Sequence, residues 1–252
     1  MSHRIIKKES EIVVKKTVFI YVAAILIASI CLVLAAVGFG SLNPPKALNT
    51  SADGQTYTTV IIDAGHGGED GGASSKSGLV EKNINLELAF IMKEKLEAQG
   101  VKVILTRDED KLLYDRSVDF HGRKKKLDMA ARLEIINNTE DCIFISLHMN
   151  AFSDPRYSGL QVWYSDQNPD SQKLADTIQG NIKTNLQPNN NRKTKSAGTS
   201  IYLLSNSSCP AVLVECGFLS NIDEAKLFED AEYKDALASQ LCDSVIQFLG
   251  NS

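Results

Sequence analysis

The chain has 252 residues, 43% of them hydrophobic, and a net charge of −4 at pH 7. Five of its 27 basic and two of its 31 acidic residues fall within the first 40 positions, so the remainder carries a net charge of −7. This acidity argues against a nucleic-acid partner, and an anionic polymer would have to be recognised by local contacts. The length from position 56 onward suits a single compact core.

An uncharged, almost wholly apolar run of 23 residues occupies positions 17–39. At ~1.5 Å per residue such a run spans a hydrocarbon core of about 30 Å, which predicts a transmembrane helix. A cleavable signal peptide is the alternative, with weak support from the small residues Ala35-Ala36-Val37. Because its apolar core would normally be only about 7–15 residues long, we favour an uncleaved signal anchor.

Charged residues flanking this run set its orientation. Five basic residues precede it, Arg4, Lys7, Lys8, Lys15 and Lys16, whereas only Lys46 lies close on the far side. The positive-inside rule therefore predicts a single-pass protein of the cytoplasmic membrane whose larger part lies outside. The expected division is a cytoplasmic basic segment at 1–16, the anchor at 17–39, a linker at 40–55 and a folded domain at 56–252.

Beyond the linker, helical and strand-like patterns alternate. Apolar residues at helical spacing predict helices at 80–99, 127–136, 171–186 and 233–249. Short apolar, β-prone runs predict strands at 58–62, 101–105, 142–147, 162–164, 201–204 and 211–215. The short connection between the last two runs favours antiparallel pairing. The alternation predicts an α/β domain with a mixed, mostly parallel sheet and helices on both faces.

Two of the four histidines directly follow apolar strands. His66 lies in a glycine-rich loop after the first strand, and His148 follows the strand at 142–147. Phosphate binding by this loop is disfavoured, since no Lys-Ser/Thr pair follows and the spacing is not that of a dinucleotide site. His3 is expected in the cytoplasm, and His121 lies in a basic loop. Carboxyl ends of neighbouring parallel strands share one edge, so two histidines there could begin a zinc site.

Two glutamates could complete such a site. Glu81 opens the helix after the glycine loop, although an acid there also stabilises the helix dipole by ~0.3–1 kcal/mol. Glu215 ends an apolar run and needs a partner if buried. A salt bridge to Arg107 or Arg132 and a role as general base beside a metal-bound water are both open. Asp128 lies four positions before Arg132, which predicts a surface or interface ion pair.

Three further polar residues are candidates for substrate binding. Arg192 and Lys195 lie in the polar loop at 187–198, and Asn150 follows His148 at the same strand end. A solvated charged loop is the common alternative for the two basic residues.

Four cysteines lie beyond the predicted membrane segment: Cys142, Cys209, Cys216 and Cys242. That location permits disulfides, but the spacing is not that of a small disulfide-rich framework. Cys142 and Cys216 lie in strand-like runs, where buried free thiols are common. The sequence leaves the pairing undecided.

Five segments, taken together and in order, carry a family resemblance. They are Ile62-Asp63-Ala64-Gly65-His66-Gly67-Gly68 with Asp70-Gly71-Gly72; Glu81-Lys82-Asn83; Leu105-Thr106-Arg107; residues 144–151; and residues 210–221. This set resembles the zinc-dependent N-acetylmuramoyl-L-alanine amidases of bacterial cell walls. The resemblance implies that His66, Glu81 and His148 hold one Zn²⁺ ion and that Glu215 is the catalytic glutamate. It also implies peptidoglycan as substrate, cut between muramic acid and L-alanine.

A single catalytic domain without a wall-binding module looks like the spore-cortex amidases, which remove stem peptides on the way to muramic-δ-lactam. The alternatives are a zinc peptidase of stem peptides and a catalytically silent wall-binding or regulatory domain. Whether activity needs a protein activator is open at this stage.

Overall fold

The computed structural model describes residues 56–114, 117 and 122–250. The predicted cytoplasmic segment at 1–16, the anchor at 17–39 and the linker at 40–55 lie outside these ranges. Within the described ranges, no helix combines the length and the apolar character needed to cross a bilayer.

One sheet organises the described part of the chain. Its strands are β1 (Thr59–Ala64), β2 (Lys102–Leu105), β3 (Cys142–Asn150), β4 (Gln161–Tyr164), β5 (Lys195–Ser196) and β6 (Ala211–Phe218). Their order across the sheet is β2-β1-β3-β6-β4-β5. Neighbours are parallel except β4 and β6, which are antiparallel. The predicted mixed, mostly parallel sheet is confirmed.

Helices cover both faces of the sheet. They are α1 (Glu81–Glu97), α2 (Lys124–Asn137), α3 (Asp170–Asn185), α4 (Tyr202–Asn206), α5 (Ile222–Leu227) and α6 (Ala231–Gly250). Successive strand residues face opposite ways, so Val60 and Ile62 pack into the core formed with α1, α3 and α6. Ile61 lies in a second core with Ile136 of α2 and Leu204 of α4. The predicted two-sided arrangement is confirmed.

The strand predicted at 201–204 is wrong. This stretch enters helix α4, and Leu203 and Leu204 are buried in the core on the α2 side. A short apolar run buries equally well as one helical turn or as a strand, so periodicity alone cannot distinguish them. The antiparallel neighbour of β6 is β4 instead.

A buried ion cluster lies where β1 ends. Arg132 of α2 donates to Asp63 and, over 2.9 Å, to Asp128. The hydroxyls of Ser146 and Thr106 donate to Asp63 over 2.6 and 2.7 Å. The predicted Asp128–Arg132 ion pair exists. Of the two expected locations, surface or interface, the surface is wrong, because the pair is buried between α2 and the sheet. Residue spacing identifies the pair but not the face of α2 that packs on the sheet.

Two buried arginines hold the loop that follows β1. Arg132 donates to the carbonyl oxygens of Ala64 and His66 over 3.0 and 2.8 Å. Arg107 donates to those of Ala64 and Gly65 over 2.7 and 3.1 Å. Among the described residues, neither arginine forms an ion pair with Glu215, so a salt bridge does not explain this glutamate's position.

The ionisation of Asp63 links this cluster to stability. Burial alone would raise the pKa of the Asp63 carboxyl, but the charge of Arg132 and the two hydroxyl donors lower it from 3.8 to about 2. Because the folded state binds this proton less tightly than the unfolded state, the stabilisation is complete above about pH 4 and is lost as the pH falls toward about 2.

We predict that Asp63→Asn lowers the free energy of unfolding at pH 7 by about 3–5 kcal/mol, since it leaves the buried Arg132 with one carboxylate fewer. The stability of the variant should also fall less than that of the wild type between pH 4 and 2. Urea unfolding at pH 7, 4 and 3 measures both effects. Asp154→Asn, at an exposed ion pair with Arg156, is the control and should change little. Equal stability of Asp63→Asn and wild type would contradict the prediction.

Candidate metal and catalytic site

The glycine-rich loop after β1 turns the His66 side chain back over the sheet edge. His66 has a φ of 63°, a left-handed conformation that is uncommon for a residue with a side chain. Its carbonyl is held by Arg132, as described above. Its Nδ1 lies 3.0 Å from Oδ1 of Asp70, a close contact without hydrogen-bond geometry. This leaves Nε2 directed toward the first turn of α1.

Glu81, the first residue of α1, is the point on which both histidines converge. Its Oε1 lies 3.2 Å from Nε2 of His66 and 3.0 Å from Nδ1 of His148. Backbone amides of Met149 and Ala73 donate to its two carboxylate oxygens over 2.9 and 2.7 Å. These contacts, rather than a favourable helix dipole alone, account for a carboxylate that is almost fully buried.

Two glycines make the close approach of these side chains feasible. A Cβ atom on Gly65 would overlap the ring of His148. A Cβ atom on Gly72 would overlap the carboxylate of Glu81 and crowd the His66 ring. The glycines therefore provide space around the cluster.

One potential ligand atom from each of His66, Glu81 and His148 lies within 4.8 Å of the others. Two imidazoles and one carboxylate form a donor set that zinc hydrolases use, with a further position for water. Burial by itself would raise the pKa of Glu81, but the two histidines lower it, so the carboxylate stays ionised. The three residues therefore fit a divalent metal ion.

Glu215 lies beside this cluster on the neighbouring strand, where it pairs in register with His148. Within the described part of the chain, its Oε2 is buried and has no hydrogen-bond partner. Burial raises the pKa of this carboxyl and Glu81 adds to the rise, while His148 and His66 oppose it. An unsatisfied carboxylate oxygen next to two imidazoles is chemically suited to accept a proton.

A cavity of about 330 Å³ adjoins the two histidines. Phe144 and Leu213 of the sheet form one wall, and Met129 of α2 and Leu203 of α4 contribute to the other. The helix that the sequence analysis misassigned as a strand thus shapes the space next to the cluster. Such a mostly apolar cavity could receive part of a substrate.

Arg192 lies in the loop before β5 and contacts β4, the strand next to the one that carries Glu215. Its guanidinium donates to Oε1 of Gln161 over 3.2 Å, and Gln161 pairs in register with Glu215. The same guanidinium lies 4.4 Å above the ring centre of Phe218 and donates to the carbonyl of Ser158 over 2.7 Å. Arg192 is therefore held in place near the site rather than free in a solvated loop.

The other two substrate candidates have different surroundings. Lys195 is exposed on β5, the strand at the far edge of the sheet, with its ammonium 5.0 Å from the ring centre of Trp163. Asn150 ends β3, and its carbonyl accepts from the amide of Leu219 over 2.8 Å. Asn150 is thus close to the loop after β6, whereas Lys195 lies two strands beyond β6. Their roles in substrate binding stay predictions.

Sequence reasoning missed the residues that support the cluster. Asp63, a lone carboxylate between Ile62 and Ala64 in an apolar run, is a sequence signal of the same kind as Glu215. Asp70, four residues after His66, contacts its imidazole. No sequence signal pointed to Gln161, which depends on the register of β4 against β6.

Residues 60–247 match the family described as N-acetylmuramoyl-L-alanine amidase (Amidase_3). The germination-specific N-acetylmuramoyl-L-alanine amidase of Bacillus subtilis strain 168 is 37% identical over 189 residues, which are 75% of this chain and 78% of that protein. The CwlD amidase of Clostridioides difficile, solved in complex with the GerS lipoprotein, is 38% identical with a TM-score of 0.73. The similarity covers 77% of this chain and 100% of that one. The amidase AmiC2 of Nostoc punctiforme is 31% identical with a TM-score of 0.64, over 76% of this chain and 96% of that one.

The match includes all six strands of the sheet except the first residue of β1, and it includes every residue of the histidine–glutamate cluster. The chain therefore belongs to the N-acetylmuramoyl-L-alanine amidase family and is an enzyme that hydrolyses peptidoglycan at the bond between muramic acid and L-alanine.

Proposed function

We propose that this amidase depends on zinc, with one Zn²⁺ ion held by His66, Glu81 and His148 and with Glu215 as the general base. The observation that carries the proposal is the convergence of both imidazoles on Oε1 of Glu81, within 3.2 Å. The neighbouring position of Glu215 on β6 adds a proton acceptor to that set.

A bound zinc ion would lower the pKa of water toward ~7 and polarise the scissile carbonyl. Glu215 would accept the proton of the attacking water on its unpartnered Oε2 and then deliver it to the departing amine of L-alanine. The Asp70 carboxylate, 3.0 Å from Nδ1 of His66, would favour a proton on Nδ1 and so leave Nε2 free to hold the ion. The products are a free lactyl carboxylate on muramic acid and a released stem peptide.

We also propose a location and a biological role for this amidase. The apolar run at 17–39 and the basic residues before it support a single-pass anchor, with the amidase domain outside the cytoplasmic membrane. Similarity to the germination-specific amidase of Bacillus subtilis supports a role in spore-cortex maturation, with muramic-δ-lactam as the later product. The lipoprotein bound to the CwlD amidase supports a search for a protein partner here.

Zinc content tests the ligand assignment. We predict that the full-length protein, purified in detergent with zinc, binds about one ion per chain and that His148→Ala loses most of it. Gly65→Ala should also lose zinc, because the added methyl group displaces the His148 ring. Elemental analysis of the purified proteins measures this.

The matched control is Gly180→Ala on an exposed part of α3, where no described atom lies within 4 Å of an added Cβ. It should bind zinc as the wild type does. Normal zinc content in both Gly65→Ala and His148→Ala would show that the ion is bound elsewhere.

The role of Glu215 has its own test. We predict that Glu215→Gln keeps zinc but loses about 10²–10⁴-fold in turnover, because the amide cannot accept the proton. Mass spectrometry of digested peptidoglycan should show free L-alanine amino termini with wild-type enzyme and with the exposed control Glu229→Gln. Wild-type turnover in Glu215→Gln would reject the general base, and cleavage within the stem peptide would favour the peptidase alternative.

Aromatic rings next to Arg192 offer a surface for the glycan part of the substrate. The exposed rings of Phe152 and Tyr157 are 4.8 Å apart, and Tyr157 stacks on Phe218. Phe152 follows His148 by four residues, and its amide donates to Ser220 in the loop after β6. Aromatic faces pack well against the C–H faces of sugars, so we propose that this cluster and Arg192 bind the glycan strand.

We predict that Phe152→Ala raises KM for polymeric peptidoglycan by about tenfold with little change in kcat, because it removes binding that is equal in ground and transition states. Phe90→Ala, at a similarly exposed phenylalanine on α1, is the control and should leave KM unchanged. Equal KM values for all three proteins would reject the glycan surface without affecting the zinc assignment.

A further inference from the structure

We propose that Cys142 and Cys209 form a disulfide bond that joins the starts of the two strands carrying His148 and Glu215. This inference does not depend on the proposed metal or its chemistry. All four cysteines of the described domain are free thiols in the structure, so the geometry must show which of them can pair.

Continuing the register of β3 and β6 back by two residues places these two cysteines side by side. Phe144 pairs with Ala211 in the parallel ladder of β3 and β6, and its amide donates to the carbonyl of Pro210 over 2.8 Å. Two residues earlier on each chain segment are Cys142 and Cys209. Neighbouring strands lie about 5 Å apart, which is within the Cα separation of disulfides. The two thiols are close enough to shift each other's pKa, that of Cys142 downward and that of Cys209 upward. The Cys142 thiol itself donates to the carbonyl of Thr139 over 3.2 Å.

The pair is also reachable, although each side chain is almost fully buried. Cys142 and Cys209 both line a cavity of about 530 Å³ at the edge of the sheet opposite the histidine–glutamate cluster. Both residues therefore border a space that a small reagent can enter. Cys216 and Cys242 differ, since they lie in the core on the other face of the sheet.

The chemistry is thiol–disulfide exchange with a small-molecule disulfide such as oxidised glutathione. The hydrogen bond from Cys209 lowers the pKa of the Cys142 thiol, which favours Cys142 as the attacking thiolate. Its sulfur bonds to one sulfur of the reagent and releases one reduced thiol. Cys209 then attacks the mixed disulfide, gives up its proton and releases the second reduced thiol. Two protein thiols are oxidised, and one reagent disulfide is reduced to two thiols.

The position of the bond gives it a consequence for the active site. Cys142 precedes His148 by six residues, and Cys209 precedes Glu215 by six residues. A covalent link at these starting points would fix the register of β3 against β6 and thereby the separation of the two functional side chains. The disulfide would act as a structural clamp remote from the reacting atoms.

Peptide mapping tests the bond directly. The full-length protein, with Cys31→Ser to remove the remaining thiol, is incubated with oxidised glutathione or with dithiothreitol, alkylated, digested and analysed by mass spectrometry. We expect a linked pair of peptides containing Cys142 and Cys209, about 2 Da lighter than the two reduced peptides together. Cys216 and Cys242 should be recovered alkylated. Alkylated or glutathione-capped Cys142 and Cys209 without a link, or links to the other cysteines, would overturn the proposal.

Thermal unfolding tests the clamp. Oxidation should raise the unfolding midpoint by about 5–10 °C relative to the reduced protein. Cys209→Ser should abolish this difference, whereas the matched control Cys242→Ser should keep it. A linked peptide pair without any rise in the midpoint would reject the clamp while leaving the bond itself established.

Discussion

The buried charge of Arg132 is the constraint on which the rest of the site depends. A guanidinium withdrawn from water is tolerated only when carboxylates and carbonyls satisfy it. Here Asp63 comes from the sheet, Asp128 from the same helix, and the carbonyl oxygens from the loop that carries His66. Because all of these groups bind one buried cation, α2, β1 and the glycine-rich loop are held together. The unusual backbone conformation of His66 is maintained by the same hydrogen bonds.

The positions of His148, Glu215 and Glu81 follow from the sheet topology and from the start of α1. Parallel pairing brings the carboxyl ends of β1, β3 and β6 to one edge, and His148 lies next to Glu215 because the ladder sets them in register. Glu81 reaches this edge from the first residue of α1 and is held by two backbone amides. The cluster is thus supported by strands, a helix start and a loop that two buried arginines hold in place.

Much of this arrangement could be predicted from the sequence because the signals were local. Polar residues at the ends of apolar strands identified His66, His148 and Glu215, and alternating patterns identified the α/β layers. The assignment of Glu81 needed the family resemblance, since its position in a first helical turn has an ordinary explanation. Features that depend on packing were missed or misjudged. The burial of Asp128 and Arg132 depends on which face of α2 meets the sheet, and the turn at Leu203 is helical because α2 supplies its packing surface.

Helix α4 is a short element whose variation would alter the cavity next to the histidines. It spans only Tyr202–Asn206, lies between β5 and β6 in sequence, and forms a wall of the cavity beside the histidines without contributing to the His–Glu–His cluster. Changes in its length or side chains would reshape that cavity, while the strands bearing His148 and Glu215 keep their register. The shape of the cavity and the geometry of the cluster therefore depend on separate parts of the chain, so that one can change while the other is kept.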